Sequence, residues 1–167
     1  MKKNLILFAS LLALGTTTLP SAVALASEAD PTEMPAPSQE GEQLLHELQD
    51  MQENNPYVDV EINGDEFTLT FTDKDVYEAN GLVYRQRAAG TNKVTGNWKT
   101  GNVNVYLSAG TLNAVRTIGP SAIAFLVGGA GGFVISQIVN IANSNKSHKH
   151  GRVFVYKNFR FSYWYYQ

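Results

Sequence analysis

Apolar residues recur along this chain with two different periods, and the changes of period mark its elements. Leu44, Leu45, Leu48 and Met51 fall at helical spacing in an otherwise acidic stretch, which predicts an amphipathic helix over 40–53. Ser38 stands where an N-cap belongs, and Asn54-Asn55-Pro56 is a stop. The period then drops to two. Val58, Val60 and Ile62 alternate with acids, Asn63-Gly64 is a favoured two-residue turn pair, and Phe67, Leu69 and Phe71 alternate on the return. A β-hairpin follows from that pattern. A third strand is expected over 82–86 and a polar, glycine-dotted loop over 88–101. Val103, Val105 and Leu107 then make another strand, with Tyr106 on its opposite face.

Residues 117–145 carry no charge, and their apolar heart is 118–142. As one helix at 1.5 Å per residue this heart would extend about 37 Å, enough to cross a hydrocarbon core of about 30 Å. Ala124, Gly128, Gly132 and Ser136 recur every four residues, a small-residue stripe that would let two helices approach closely. In water, glycines 128, 129, 131 and 132 would cost a helix roughly 4 kcal/mol relative to alanine. A buried helical hairpin, 109–127 and 133–143, is therefore the alternative to a membrane-seeking helix. The end of the chain reads as a second hairpin: Val153 and Val155 alternate with Phe154 and Tyr156, Lys157-Asn158 turns, and Phe159, Phe161, Tyr163 and Tyr165 alternate on the way back.

Charge sharpens this division. The formal net charge of −2 conceals a split: all 15 acidic residues lie between Glu28 and Glu78. Lys74 is the only base in 27–78, and 79–167 contains no Asp or Glu. Arg116, Lys146, Lys149, Arg152, Lys157 and Arg160 thus stand among aromatics, including Tyr163, Trp164, Tyr165 and Tyr166, with no acid near them in sequence. Cations interleaved with Trp and Tyr suit an interface with an anionic membrane or cell-wall surface. The acidic part can either keep the chain soluble or mask the cations until such a surface is met.

Ahead of all this, Lys2 and Lys3, an apolar run over 5–14 and Ala24-Leu25-Ala26 compose a secretory signal over 1–26, with cleavage expected before Ser27. Pro31, Pro35 and Pro37 mark 27–38 as a disordered linker. The remaining organisation is an acidic helix plus hairpin over 39–78 and a cationic module over 79–167, its terminal hairpin spanning 152–166. Cysteine is absent, so no disulfide braces the exported fold.

Catalytic and cofactor chemistry find little footing. His46, His148 and His150 are the only histidines, and Lys149 between the last two opposes a bound cation. No G-x-S-x-G elbow, cysteine nucleophile or phosphate-loop lysine occurs. The expectation is no catalytic, metal or cofactor site. Export also argues against nucleic acid as a physiological partner.

The region 103–167 resembles the bacteriocin-type effectors of Gram-positive bacteria: it is cationic, free of acids, glycine-rich in an apolar segment and aromatic at its end. It carries neither a YGNGV-type box nor a double-glycine leader, so no family residue is transferred. The resemblance implies a membrane-active function. Together with the signal segment and the missing catalytic motifs, the expectation is a secreted, non-enzymatic protein that acts on membranes, with self-association as a further expected partnership. The expected fold is α+β: acidic helix and hairpin, central glycine-rich helix or helical hairpin, aromatic hairpin. Two alternatives stay open: a soluble secreted interaction domain with 118–142 as its core, and a membrane-anchored surface protein.

Overall fold

The computed structural model describes residues 38–85, 90–126, 132–144 and 146–167, all within the unit Pro35–Gln167. The expected signal segment and nearly all of the linker lie outside the described residues. The elements are α1 (Gln39–Asn54), β1 (Asp59–Asn63), β2 (Glu66–Thr72), α2 (Asp73–Glu78), β3 (Thr91–Asn97), β4 (Asn102–Leu107) and α3 (Ala109–Ile118), then a 3-10 helix (Pro120–Leu126), α4 (Gly132–Asn143), β5 (Arg152–Lys157) and β6 (Arg160–Tyr166). The fold is α+β. One six-stranded antiparallel sheet is laid out in the order of the sequence, β1-β2-β3-β4-β5-β6.

One face of the sheet is covered. Phe67, Leu69, Val94, Val105, Leu107 and Phe154 are buried there in one core with Leu48 of α1, Val76 of α2, Leu112 and Val115 of α3, Ile123 of the 3-10 helix and Ile138 of α4. On the opposite face every residue of β1 to β4 is exposed or half-exposed. The acidic helix and hairpin therefore share both sheet and core with the cationic strands.

Local chemistry explains the ends of these elements. Ser38 caps α1 by accepting the Gly41 N–H at 3.1 Å, with Glu40 and Glu42 in the favourable first turn. Thr72 and Asp75 form a capping box that starts α2, a helix the apolar pattern alone does not announce. Residues 82–85, expected as a strand, have no regular structure, and Leu82 and Val83 are exposed.

The third strand lies instead at β3, inside the expected loop. Its inward positions are Asn92, Val94 and Gly96, so only one bulky apolar residue signals the buried side. Gly96 is needed because a Cβ there would sit 2.5 Å from the Asn102 carbonyl oxygen and 3.0 Å from the Val103 Cα on the adjacent strand.

The charge-free segment is not one straight helix. Gly119, at φ 93°, ends α3, and a 3-10 helix follows before α4. Ala124 lies on the 3-10 helix and Gly132 and Ser136 on α4; Gly128 lies outside the described residues. Ala122, Ile123, Ile138 and Ala142 are buried in the shared core. Among the described residues no helix is long and apolar enough to cross a membrane.

Tyr156 ties this segment to the sheet: its O–H donates to the Val134 carbonyl at 3.1 Å. Burial raises its pKa well above the ordinary 10.0. The unfolded chain therefore loses this proton at lower pH than the folded one. Stability from this group is complete below pH 10 and is lost as pH rises through the folded pKa. Tyr156→Phe is expected to cost about 1 kcal/mol at neutral pH and to flatten the alkaline decline. Urea unfolding at neutral pH and at about pH 11 checks this; parallel alkaline losses in both proteins would contradict it.

Candidate functional site

The two hairpins turn one residue later than their sequences suggest. In the first, Asn63 pairs with Glu66, leaving Gly64-Asp65 as the loop, and Gly64 takes φ 59°. In the second, Lys157 pairs with Arg160 and the loop is Asn158-Phe159, both at positive φ. Phe159 thus belongs to the turn and not to the returning strand.

A β-bulge then decides which aromatics face where. Tyr156 pairs with Phe161 but Val155 pairs with Tyr163, so Ser162 is the extra residue. Phe161 turns inward, its ring 5.6 Å from that of Tyr156. Beyond the bulge the parity changes. Tyr163 and Tyr165 share the open face with Val155 and Val153, while Trp164 and Tyr166 share the covered face with Phe154 and Arg152. The expected single row of Phe159, Phe161, Tyr163 and Tyr165 is divided among the turn and both faces.

On the open face the register places Lys93, Tyr106, Val153 and Tyr165 side by side across β3, β4, β5 and β6. The neighbouring row is Thr95, Asn104, Val155 and Tyr163. Val153 and Val155 are buried although no helix covers this face among the described residues; their cross-strand neighbours include Tyr106, Tyr163 and Tyr165. Tyr163 and Tyr165 remain 50% and 46% exposed, with ring centroids 6.3 Å apart and planes 32° from each other. Lys157 and Arg160 flank the turn on the same face, exposed.

Because the strands follow sequence order, the linear charge split becomes a spatial one. Asp59, Glu61 and Glu66 mark the β1–β2 side of the open face, and Lys93, Lys157 and Arg160 the β3–β6 side. The ion pairs among the described residues are Lys74–Glu78 at 3.4 Å and Lys99–Asp65 at 2.8 Å, so these three cations are left to act outward. The patch offers planar apolar faces, phenolic hydroxyls and unneutralised positive charge. Such a set can bind a phosphate- or carboxylate-bearing surface.

The remaining expected site residues lie elsewhere. Ala124 and Ser136 are exposed, on the 3-10 helix and α4, and Gly132 opens α4. Arg116 is exposed on α3, and Lys146 and Lys149 are exposed in the loop before β5. His148 turns inward: its Nε2 lies 2.8 Å from the Ala142 carbonyl, and its backbone is held on both sides by Asn113. Arg152 is a correction, buried against Trp164 where an exposed interfacial cation was expected. Among the described residues no group of His, Cys, Asp or Glu is placed to hold a metal ion. An apolar cavity of about 50 Å³ between α1 and α4 lies well below ordinary ligand-site volumes.

One polar cluster escaped the sequence reading. Asp73 is buried and accepts from the Gly90 N–H at 2.9 Å, Asn92 Nδ2 at 3.1 Å, Thr111 Oγ1 at 2.7 Å and Ser108 Oγ. Asn92 Oδ1 in turn accepts the Ser108 N–H at 2.8 Å. No imidazole takes part in these contacts. The arrangement joins the starts of α2, β3 and α3.

Comparison with protein-family models, with curated proteins and with solved structures yields no match. The functional reading rests on the chemistry of these faces.

Proposed function

We propose that this protein is an exported, non-enzymatic binding domain that lays the open face of β3–β6 on an anionic membrane or cell-wall surface, with the flanks of the glycine-rich segment serving as core. The observation that carries the reading is the patch of Tyr106, Tyr163 and Tyr165 bordered by Lys93, Lys157 and Arg160 on a sheet face without helices among the described residues. Tyrosines sit well at a headgroup boundary, and each nearby cation contributes about 1 kcal/mol against an anionic surface. The acidic β1–β2 side orients the molecule, because it is repelled by the surface that attracts β5–β6.

Co-sedimentation with phosphatidylglycerol and phosphatidylcholine vesicles tests the proposal. Wild type is expected to prefer the anionic vesicles, with binding that fades as salt is added. Lys157→Gln with Arg160→Gln removes two exposed charges and is expected to weaken that binding roughly 30-fold at low salt. Equal binding to both vesicle types, or an unaffected double variant, would sink the proposal. Dye leakage accompanying binding would favour the pore-forming form of the bacteriocin-like reading.

A further inference from the structure

Arg152 is 3% exposed, yet its Nε and Nη1 are buried without any hydrogen-bond acceptor. No ion pair forms with it among the described residues, and no Asp or Glu occurs in 79–167. Its guanidinium carbon lies 4.1 Å from the centre of the Trp164 ring and 5.4 Å from that of Tyr166. Stacking satisfies the face of the cation, not the N–H groups in its plane. A buried guanidinium with open donors is costly to maintain, and an apolar side chain would pack there without that cost.

We infer that Arg152 is the anchor of a phosphate-binding site at the β5–β6 end of the covered face, distinct from the open-face patch. Three further observations fit that ligand. Lys149 is exposed just before β5, and the His150 ring lies 6.1 Å from that of Tyr166. Tyr166, which shields the guanidinium, is itself 59% exposed and lies at the end of an edge strand. The pairing of β6 with β5 ends there at the Gln167 N–H to Gly151 carbonyl bond, 3.0 Å. Strand ends paired on one side only open at low cost, which gives an anion its route to the donors. A guanidinium meets phosphate oxygens through a planar fork that lysine lacks.

The inference stands apart from the surface-binding proposal, since Lys157 and Arg160 take no part in it. Thermal unfolding is followed with inorganic phosphate and with chloride at matched ionic strength, on wild type, Arg152→Lys and Arg152→Met. Saturating phosphate is expected to raise the wild-type melting temperature by roughly 3 °C or more. Both variants are expected to lose that shift, and Lys157→Gln with Arg160→Gln to keep it. Arg152→Lys on phosphatidylglycerol vesicles separates the sources of the group: weakened binding means a lipid phosphate fills the site, unchanged binding a free one. No shift in wild type overturns the inference whether or not the variants fold. An equal shift in either folded variant overturns it too, because the anion would then be held by surface lysines.

Discussion

Asp73→Ala is expected to lower folding stability by about 4 kcal/mol, the largest effect of any single substitution in this protein. The carboxylate accepts from Gly90, Asn92, Ser108 and Thr111, and all four donors lose their partner at once. Asn92 and Thr111 are fully buried, so water does not replace what is lost. Gly90 and Gly110 press against the same group: a Cβ on either would come within 2.7 Å of Asp73 Oδ2. A methyl group at either position would force the carboxylate or its neighbours to shift. Asp73→Asn keeps one acceptor oxygen and is expected to lose about half as much. Urea denaturation measures both; a loss below about 1 kcal/mol for the alanine variant would show that the cluster is not a fold-determining junction.

The second large effect concerns the division of the chain at residue 79. A fragment carrying only 79–167 is expected to be unfolded, with no cooperative urea transition and collapsed amide dispersion. Strand β3 would lose its pairing with β2 along its whole length, from Thr91 to Asn97. The core would lose Leu48, Met51, Val60, Phe67, Leu69, Phe71 and Val76. At about 1.5–3 kcal/mol for each fully buried side chain, that exceeds 10 kcal/mol and is comparable with the entire stability of a domain this size. Asp73 departs with them, taking the acceptor of the Asn92 amide and of the Ser108 and Thr111 hydroxyls. A fragment that unfolded cooperatively near the wild-type midpoint would restore the idea of a separable cationic module. Charge masking is therefore to be tested by substitution in the full chain and not by truncation.

Both hairpins show why alternation locates a strand better than it locates its register. Moving a two-residue turn by one position shifts the pairing by two residues and leaves the same side chains facing inward. The pattern of Val60, Ile62, Phe67 and Leu69 is thus compatible with either turn. Long-range bonds accompany the turn that forms: Trp98 Nε1 donates to the Gly64 carbonyl and Trp98 N–H to the Asp65 carbonyl, each at 3.0 Å. Helix α1 was legible to within a residue, because its periodicity, its Ser38 cap and its Asn55 end agree with one another. Helix α2 had a signal in Thr72 and Asp75 that the apolar pattern did not contain.

The sequence by itself determined the α+β class, helix α1, five of the six strands and the segregation of charge. Those depend on local periodicity, capping and composition, which are properties of neighbouring residues. Only the tertiary structure decided that β3 is a strand, since its inward face is built from Asn92, Val94 and a glycine that matters for what it leaves empty. The same holds for the apolar segment, whose choice between a spanning helix and core packing turns on the partners waiting for Ile123 and Ile138. It holds most of all for the candidate site. A single extra residue at Ser162 sends Tyr163 and Tyr165 to the open face and closes Trp164 and Tyr166 over Arg152, and a bulge is set by how two strands meet across space.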